Sequence, residues 1–218
     1  MEFRENTWDK LIWDSVYNGN EYNLPDRIDG WNVVDIGGHI GSFAKLALDR
    51  GAEKVNIVEA NPNNIPILMN NLKEHANCTI FPFAVYGDEF SEIRDVSVHW
   101  SEFGNTGGSS VFFKGNTKTN VIILQKVLDD MDKVDLMKID CEGSEYHILH
   151  SGLEKVKRIC GEYHEDPELL NLISSNLGVL ITGKEFLFSS LRVQGFKNIT
   201  DVPHKRNPYI GNFFASRE

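Results

Sequence analysis

The stretch NVVDIGGHIGSFAKLAL, residues 32–48, limits the folds open to this chain more than any other. A short apolar run ends on Asp35, crosses a glycine-rich turn and enters a segment with apolar residues at helical spacing. Strand, tight turn and helix in that order begin a βαβ unit, and the turn is where such a unit holds a ligand. Gly37 lets the backbone turn sharply, and Gly41 lets the helix start close to a ligand. The dinucleotide fingerprint G-x-G-x-x-G fails, because counting from Gly37 places His39 third and Ser42 sixth. No Gly-Lys-Ser/Thr follows, so a P-loop fails too. Asp35 does not attract phosphate; it suits a ligand with an ammonium or sulfonium group.

The same alternation continues. KVNIVEA reads as a second strand and NPNNIPILMNNLKEH as a second helix, with Asn61 as its cap and Pro62 at its first position. CTIFPFAVYG reads as one strand interrupted by Pro82. KVDLMKIDCEG (strand), SEYHILHSGLEKV (helix) and KRICGEYHE (strand) resume the pattern, followed by helix candidates PELLNLISSNL and KEFLFSSLRVQ. FKNITDV and YIGNFFASR close the chain as two strands expected to pair antiparallel. Continuous apolar strands separated by helices predict an α/β fold with a mostly parallel sheet covered on both faces. NTWDKLIWDSVYNG predicts a leading helix, so residues 1–30 form a helical extension and 31–218 the main domain. A β and loop insertion is expected at about 88–126, where DVSVHW and NVIILQ read as strands around a Gly/Ser/Asn/Thr-rich loop.

Glu59 ends the second strand, where an acid accepts ribose hydroxyls in nucleoside-binding α/β folds. Paired with Asp35 at the same sheet edge, it points to an unphosphorylated ribose. Asp140 and Glu142 end the fourth strand, at the carboxyl edge where ligands bind. Glu162 and His164 end the fifth, two residues apart on one strand face. No histidine stands at metal-ligand spacing with Asp140, Glu142 and Glu145, so no metal site is expected. Cys78, Cys141 and Cys160 form no C-x-x-C pair and read as free thiols of a reducing compartment. The formal net charge of −10 argues against a general nucleic-acid binder. MEFRENTWDKLIWD lacks the apolar core of a signal peptide, and no run approaches a membrane span, so a cytoplasmic protein is expected.

Taken together, VVDIGGHIGSFAKLA, VNIVEANPNN, FPFAVYGDE, VDLMKIDCEGSEYHIL and RICGEYHE resemble the FkbM-type family of S-adenosylmethionine-dependent methyltransferases, in order across about residues 31–165. The family's first motif is similar to D-x-G-A-N-x-G; Gly38 and His39 stand here in place of Ala and Asn. The string Lys138 to Gly143 is the most specific part. The resemblance implies a class I methyltransferase fold: a Rossmann-like three-layer sandwich with a seven-stranded, mostly parallel sheet whose last strand is antiparallel. It also implies S-adenosyl-L-methionine as cofactor and O-methylation of a small molecule, sugar or glycan.

On that reading Asp35, Gly37, Gly38, His39 and Gly41 surround the cofactor's methionine end, and Glu59 with Ala60 and Asn61 holds the ribose. Ala84 and Val85 lie along the adenine. His164, backed by Glu162, is the general base, and Asp140 orients the acceptor hydroxyl. Lys205 and Arg206, in the turn between the last two strands, would face an anionic acceptor, with Ser109 and Ser110 covering the same mouth. Two competing readings are a nicotinamide-dependent oxidoreductase, disfavoured by the broken fingerprint, and a non-catalytic S-adenosylmethionine-binding scaffold.

Overall fold

A computed structural model of the chain describes residues 1–87, 95–100, 104–150 and 152–218. The first part of the expected insertion (88–94), the start of its glycine-rich loop (101–103) and residue 151 within the expected helix SEYHILHSGLEKV lie outside the described residues. The leading helix is short. It is α-helical as α1 (Asp9–Trp13) and widens into a π turn over Asp14–Asn18, closed by the Gly19 N–H donating to the Asp14 carbonyl at 2.8 Å.

The apolar runs form the expected strands: β1 (Asn32–Ile36), β2 (Lys54–Val58), β3 (Cys78–Phe81), and, later in the chain, β7 (Leu136–Ile139) and β8 (Arg158–His164). With β9 (Asn198–Pro203) and β10 (Ile210–Ser216) they make a seven-stranded sheet in the order β3-β2-β1-β7-β8-β10-β9. Pairings from β3 to β8 are parallel; β10 runs antiparallel to both β8 and β9. The strands of the centre are buried on both faces, which is why they read as continuous apolar runs. Val33, Val55, Ile57 and Leu136 pack on one side beneath α2 (Ser42–Asp49) and α3 (Ile65–Leu72). Val34, Ile36, Met137 and Ile139 pack on the other, with α5 (Glu145–Ile148) and α7 (Lys184–Val193). The result is the three-layer sandwich that the alternation implies.

Three local expectations are corrected. CTIFPFAVYG is not one strand: the chain leaves the main sheet after Phe81, because Pro82 has no N–H to continue a ladder. Residues beyond it form β4 (Ala84–Tyr86), which joins β6 (Thr117–Ile123) and β5 (Asp95–Val98) in a small separate sheet. The NVIILQ strand ends at Ile123, and Leu124–Leu128 turns into α4. The second helix starts at Ile65 and not at Pro62; Asn61 instead makes a local turn in which its Oδ1 accepts the Asn63 N–H at 3.0 Å.

His147 joins the small sheet to α5. It is buried, and its ring stacks on Tyr86 at 4.3 Å. Burial pulls its pKa from 6.5 down to about 3. Between those values the unfolded chain takes up a proton that the folded chain refuses, so stability falls as pH drops through that window. His147→Phe keeps a ring and removes the titration. Between pH 7 and pH 5 the parent should lose about 2 kcal/mol more unfolding free energy than the variant. Urea titrations across that range measure the difference, and parallel pH curves would contradict a histidine buried in its neutral form.

Candidate active site

The carboxyl ends of β1, β2, β7 and β8 open into a cavity of about 420 Å³, a size that suits a small-molecule cofactor. Its floor is the turn after β1. The Gly37 and Gly38 N–H groups both donate to the Val58 carbonyl, at 2.9 and 3.0 Å. Gly37 adopts φ +81°, and a Cβ there would stand 1.8 Å from the Asp140 carbonyl oxygen. A Cβ on Gly38 would meet Ile57 at 2.3 Å. Only glycine allows the two strand ends to approach this closely.

Beneath the turn, Asp35 is fully buried and stands opposite Lys138 in the β1–β7 register. The Lys138 amine lies 3.2 Å from the Asp35 carboxylate and donates to the carbonyls of Gly37 (2.7 Å) and Ile36 (3.3 Å). Burial pushes the Asp35 carboxyl up while Lys138 pulls against it. For Lys138, burial lowers the pKa but Asp35 and Asp140 outweigh it, and the net direction is upward.

At the end of β2, Glu59 is oriented by three donors. Its Oε2 accepts the His39 N–H at 2.7 Å; its Oε1 accepts the Asn61 N–H at 2.7 Å and the Asn64 amide at 3.1 Å. Asn61 reaches on to the Ser109 hydroxyl at 3.3 Å. A clasp centred on Asp9 closes the opposite side. Arg4 binds both carboxylate oxygens at 2.9 Å, Thr106 donates its hydroxyl at 2.5 Å, and the His39 ring nitrogen lies 3.3 Å away. Burial raises the Asp9 pKa, but His39, Arg4 and Thr106 more than reverse it and hold the carboxyl far below its usual range. The N-terminal segment, the glycine turn and the loop at 104–110 are thereby joined through one buried charge.

The far end of the cavity is acidic. Asp140, Glu142, Glu162 and Glu21 line it, with Tyr22 and His204. The Tyr22 hydroxyl donates to Asp140 Oδ2 at 2.8 Å. Burial pushes Glu142 up to about 7, with His164 pulling it down. Burial also raises Glu162, and nearby Asp140 adds to the rise. His164 sits behind these groups, its Nδ1 2.6 Å from Glu145 Oε1 and its Nε2 3.1 and 3.3 Å from Glu162 and Glu142. Burial lowers its pKa, but the surrounding carboxylates overturn that and leave it well above the ordinary histidine value.

Of the residues picked out from the sequence, Gly37, Gly38, His39, Glu59, Ala60, Ala84, Val85, Ser109, Asp140 and Glu162 line the cavity together. Others are near it without lining it. Asp35 lies under the turn and holds Lys138, so its charge is not presented to a ligand. Gly41 (φ +94°) faces Leu68 and Leu72 of α3. Ser110 is buried and donates its hydroxyl to the Glu142 carbonyl at 2.9 Å. Lys205 and Arg206 are exposed at the turn tip and their neighbour His204 lines the cavity in their place.

His164, expected as the base, is buried and does not itself line the cavity. A general base needs a neutral imidazole open to the acceptor, and this one is enclosed among carboxylates that favour its charged form. The fold further brings Asp140 within 4.8 Å of the Glu162 and His164 pair, a proximity that spacing along the chain does not show. Sequence reasoning missed Tyr22, Lys138 and the Asp9 clasp. Lys138 was visible inside its motif, but Asp9 and Thr106 are 97 residues apart and carried no local signal.

This strand order, with the antiparallel hairpin at one edge and the glycine turn after β1, defines a class I methyltransferase fold. The sequence matches the methyltransferase FkbM domain family over residues 35–195, and the chain belongs to that family. Its cofactor is S-adenosyl-L-methionine. Among solved structures, it is similar to an FkbM methyltransferase from Methylobacillus flagellatus KT (TM-score 0.56, 15% identity, 93% of this chain and 47% of that one). It is also similar in fold to a precorrin-6y C5,15-methyltransferase from Geobacter metallireducens GS-15 (TM-score 0.51, 13% identity, 100% of this chain and 94% of that one). Over 87 residues it is 30% identical to ribosomal RNA small subunit methyltransferase A of Clostridium botulinum, a match that spans 40% of this chain and 30% of that relative.

The residues present fit the cofactor. Gly37 and Gly38 line the cavity with backbone alone, and Glu59 is fixed at its wall by three donors. The buried Ser42 hydroxyl, which lines the cavity, has no hydrogen-bond partner among the described residues. The pair beneath the floor gives a direct test. Lys138→Met leaves Asp35 buried without a counter-charge and should cost about 3–5 kcal/mol. The double variant Asp35→Asn with Lys138→Met should recover much of that loss. Chemical denaturation of the three proteins decides it, and a single variant as stable as the parent would show that the pair does not hold the turn.

Proposed function

We propose that this chain transfers the methyl group of S-adenosylmethionine to a hydroxyl oxygen of a small molecule or carbohydrate in the cytoplasm. The observation that carries the reading is the carboxylate wall of Asp140, Glu142 and Glu162 at the end of the cavity away from Glu59. A hydroxyl is a weak nucleophile until its proton is removed or drawn away, and carboxylates serve that need. They also oppose a polyanion. The ribosomal RNA activity named for the curated relatives comes from a short match, and a net charge of −10 with four acids around the cavity disfavours phosphate backbones. The same charges disfavour the anionic acceptor that Lys205 and Arg206 would have suggested. Three free cysteines are consistent with a reducing compartment.

S-adenosylmethionine, when bound, supplies an electrophilic methyl group on a sulfonium centre. Gly37, Gly38 and His39 form the floor for its methionine end, Glu59 accepts from the ribose, and Phe83, Ala84 and Val85 flank the adenine. Asp140, its orientation fixed by the Tyr22 hydroxyl, directs the acceptor oxygen. The Glu142 and Glu162 carboxylates take the hydroxyl proton. Trp8, Leu11 and Ile12 present an apolar wall that favours an acceptor with an uncharged body and limits water at the reacting end.

Glu59→Ala should weaken adenosylhomocysteine binding about tenfold or more, as expected for losing charge-assisted bonds. Unchanged affinity by calorimetry would remove Glu59 from the ribose site. Asp140→Asn should retain cofactor affinity within a few-fold while turnover falls at least about a hundredfold. The assay is adenosylhomocysteine release with a panel of catechols, polyols and monosaccharides. Turnover near the parent level would mean that Asp140 does not position the acceptor.

A further inference from the structure

We propose that Asp140, Glu162 and His164 form a binding site for one divalent cation at the acceptor end of the cavity. The three side chains come from the carboxyl ends of the adjacent strands β7 and β8, and each offers a donor atom within 4.8 Å of the other two. His164 is only 4% exposed. Its Nε2 faces this cluster and has no hydrogen-bond partner among the described residues, although carboxylate oxygens of Glu162 and Glu142 approach to 3.1 and 3.3 Å. A proton on Nε2 would find neither oxygen in hydrogen-bonding alignment. A metal ion needs only the lone pair.

The other ring nitrogen is held by a buried carboxylate. Nδ1 lies 2.6 Å from Glu145 Oε1, which holds a proton on Nδ1 and directs Nε2 toward the cluster, where a cation would displace the Nε2 proton and take its lone pair. Glu145 is itself fully buried, and its Oε2 accepts the Gly143 N–H at 2.8 Å. A carboxylate that holds the far nitrogen of a histidine is the usual outer support of a metal ligand. One imidazole with two carboxylates suits manganese, iron or zinc in the divalent state. Lys138, which could otherwise balance Asp140, is engaged by Asp35 and two backbone carbonyls. A second triad, Glu21, Glu162 and His204, shares Glu162 but is built from half-buried groups, and among the described residues its histidine has no comparable support.

The use of the ion rests on the O-methylation reading; its binding does not. An ion here would hold the acceptor hydroxyl oxygen and lower its pKa. The oxygen–hydrogen bond would break toward Glu142, and the oxygen would form the new bond to the methyl carbon as the carbon–sulfur bond breaks.

The test uses the full chain stripped with EDTA and titrated with Mn²⁺, following the free aqua ion by electron paramagnetic resonance. One Mn²⁺ should bind per chain. Glu162→Gln and His164→Gln should each weaken it at least about tenfold to a hundredfold, the loss that removing even a supporting residue causes, and Glu21→Gln should not change it. Adenosylhomocysteine binding by calorimetry reports that each variant is folded; if His164→Gln fails to fold, Glu162→Gln and Asp140→Asn carry the comparison. A parent chain that binds adenosylhomocysteine but no Mn²⁺ at millimolar concentration overturns the site and leaves the methyl-transfer reading intact. Affinity that depends on Glu21 and not on His164 or Asp140 overturns it as well. Tight Mn²⁺ binding at these three residues, with methyl transfer to nitrogen only, sustains the site and overturns the O-methylation reading.

Discussion

The buried pair of Asp35 and Lys138 is the interaction on which the site depends. Two charges taken out of water are costly, and the cost is offset only when each finds full compensation. Here the amine has a carboxylate at 3.2 Å and two backbone carbonyls, those of Ile36 and Gly37. Those carbonyls belong to the end of β1. The pair therefore fixes where the strand stops and how the glycine turn leaves it. Because Gly37 abuts the Asp140 carbonyl, the same pair sets the distance between the glycine floor and the acidic end of the cavity.

From that floor the cavity divides by chemistry. One side has neutral backbone, a glycine turn and one well-oriented carboxylate, Glu59. The other gathers Asp140, Glu142, Glu145 and Glu162 around the buried imidazole of His164. Such a concentration of negative charge in a half-buried place favours a positive occupant, whether a proton on the histidine or a metal ion. The Asp9 clasp adds a third component. It joins the N-terminal segment to the loop at 104–110, so two segments that both contribute to the cavity lining are held through one buried carboxylate.

Much of the fold was legible because its signals are local. Continuous apolar strands, Gly37 after β1 and the acid at Glu59 each follow from a few consecutive residues, and each was found where expected. The break at Pro82 was legible as a break, but its consequence was not: nothing nearby says that Ala84 will pair with Val121 in another sheet. Site geometry was hidden where it depends on partners far along the chain. Asp35 was read as facing a ligand because Lys138, 103 positions later, is invisible from β1. His164 was read with its neighbour Glu162, whereas its shortest contact is to Glu145 on a different element. Charge state and accessibility come from such assemblies, and the order of residues does not display them.

The account turns on the atom that receives the methyl group. Carbon-13-labelled S-adenosylmethionine, incubated with the chain and a fractionated pool of hydroxyl-bearing small molecules and ribosomal RNA, answers this in one nuclear magnetic resonance spectrum. The account predicts a new labelled signal in the methyl-ether region, carried by a small molecule and absent with Asp140→Asn. A labelled methyl on nitrogen, or label confined to the RNA, would contradict it.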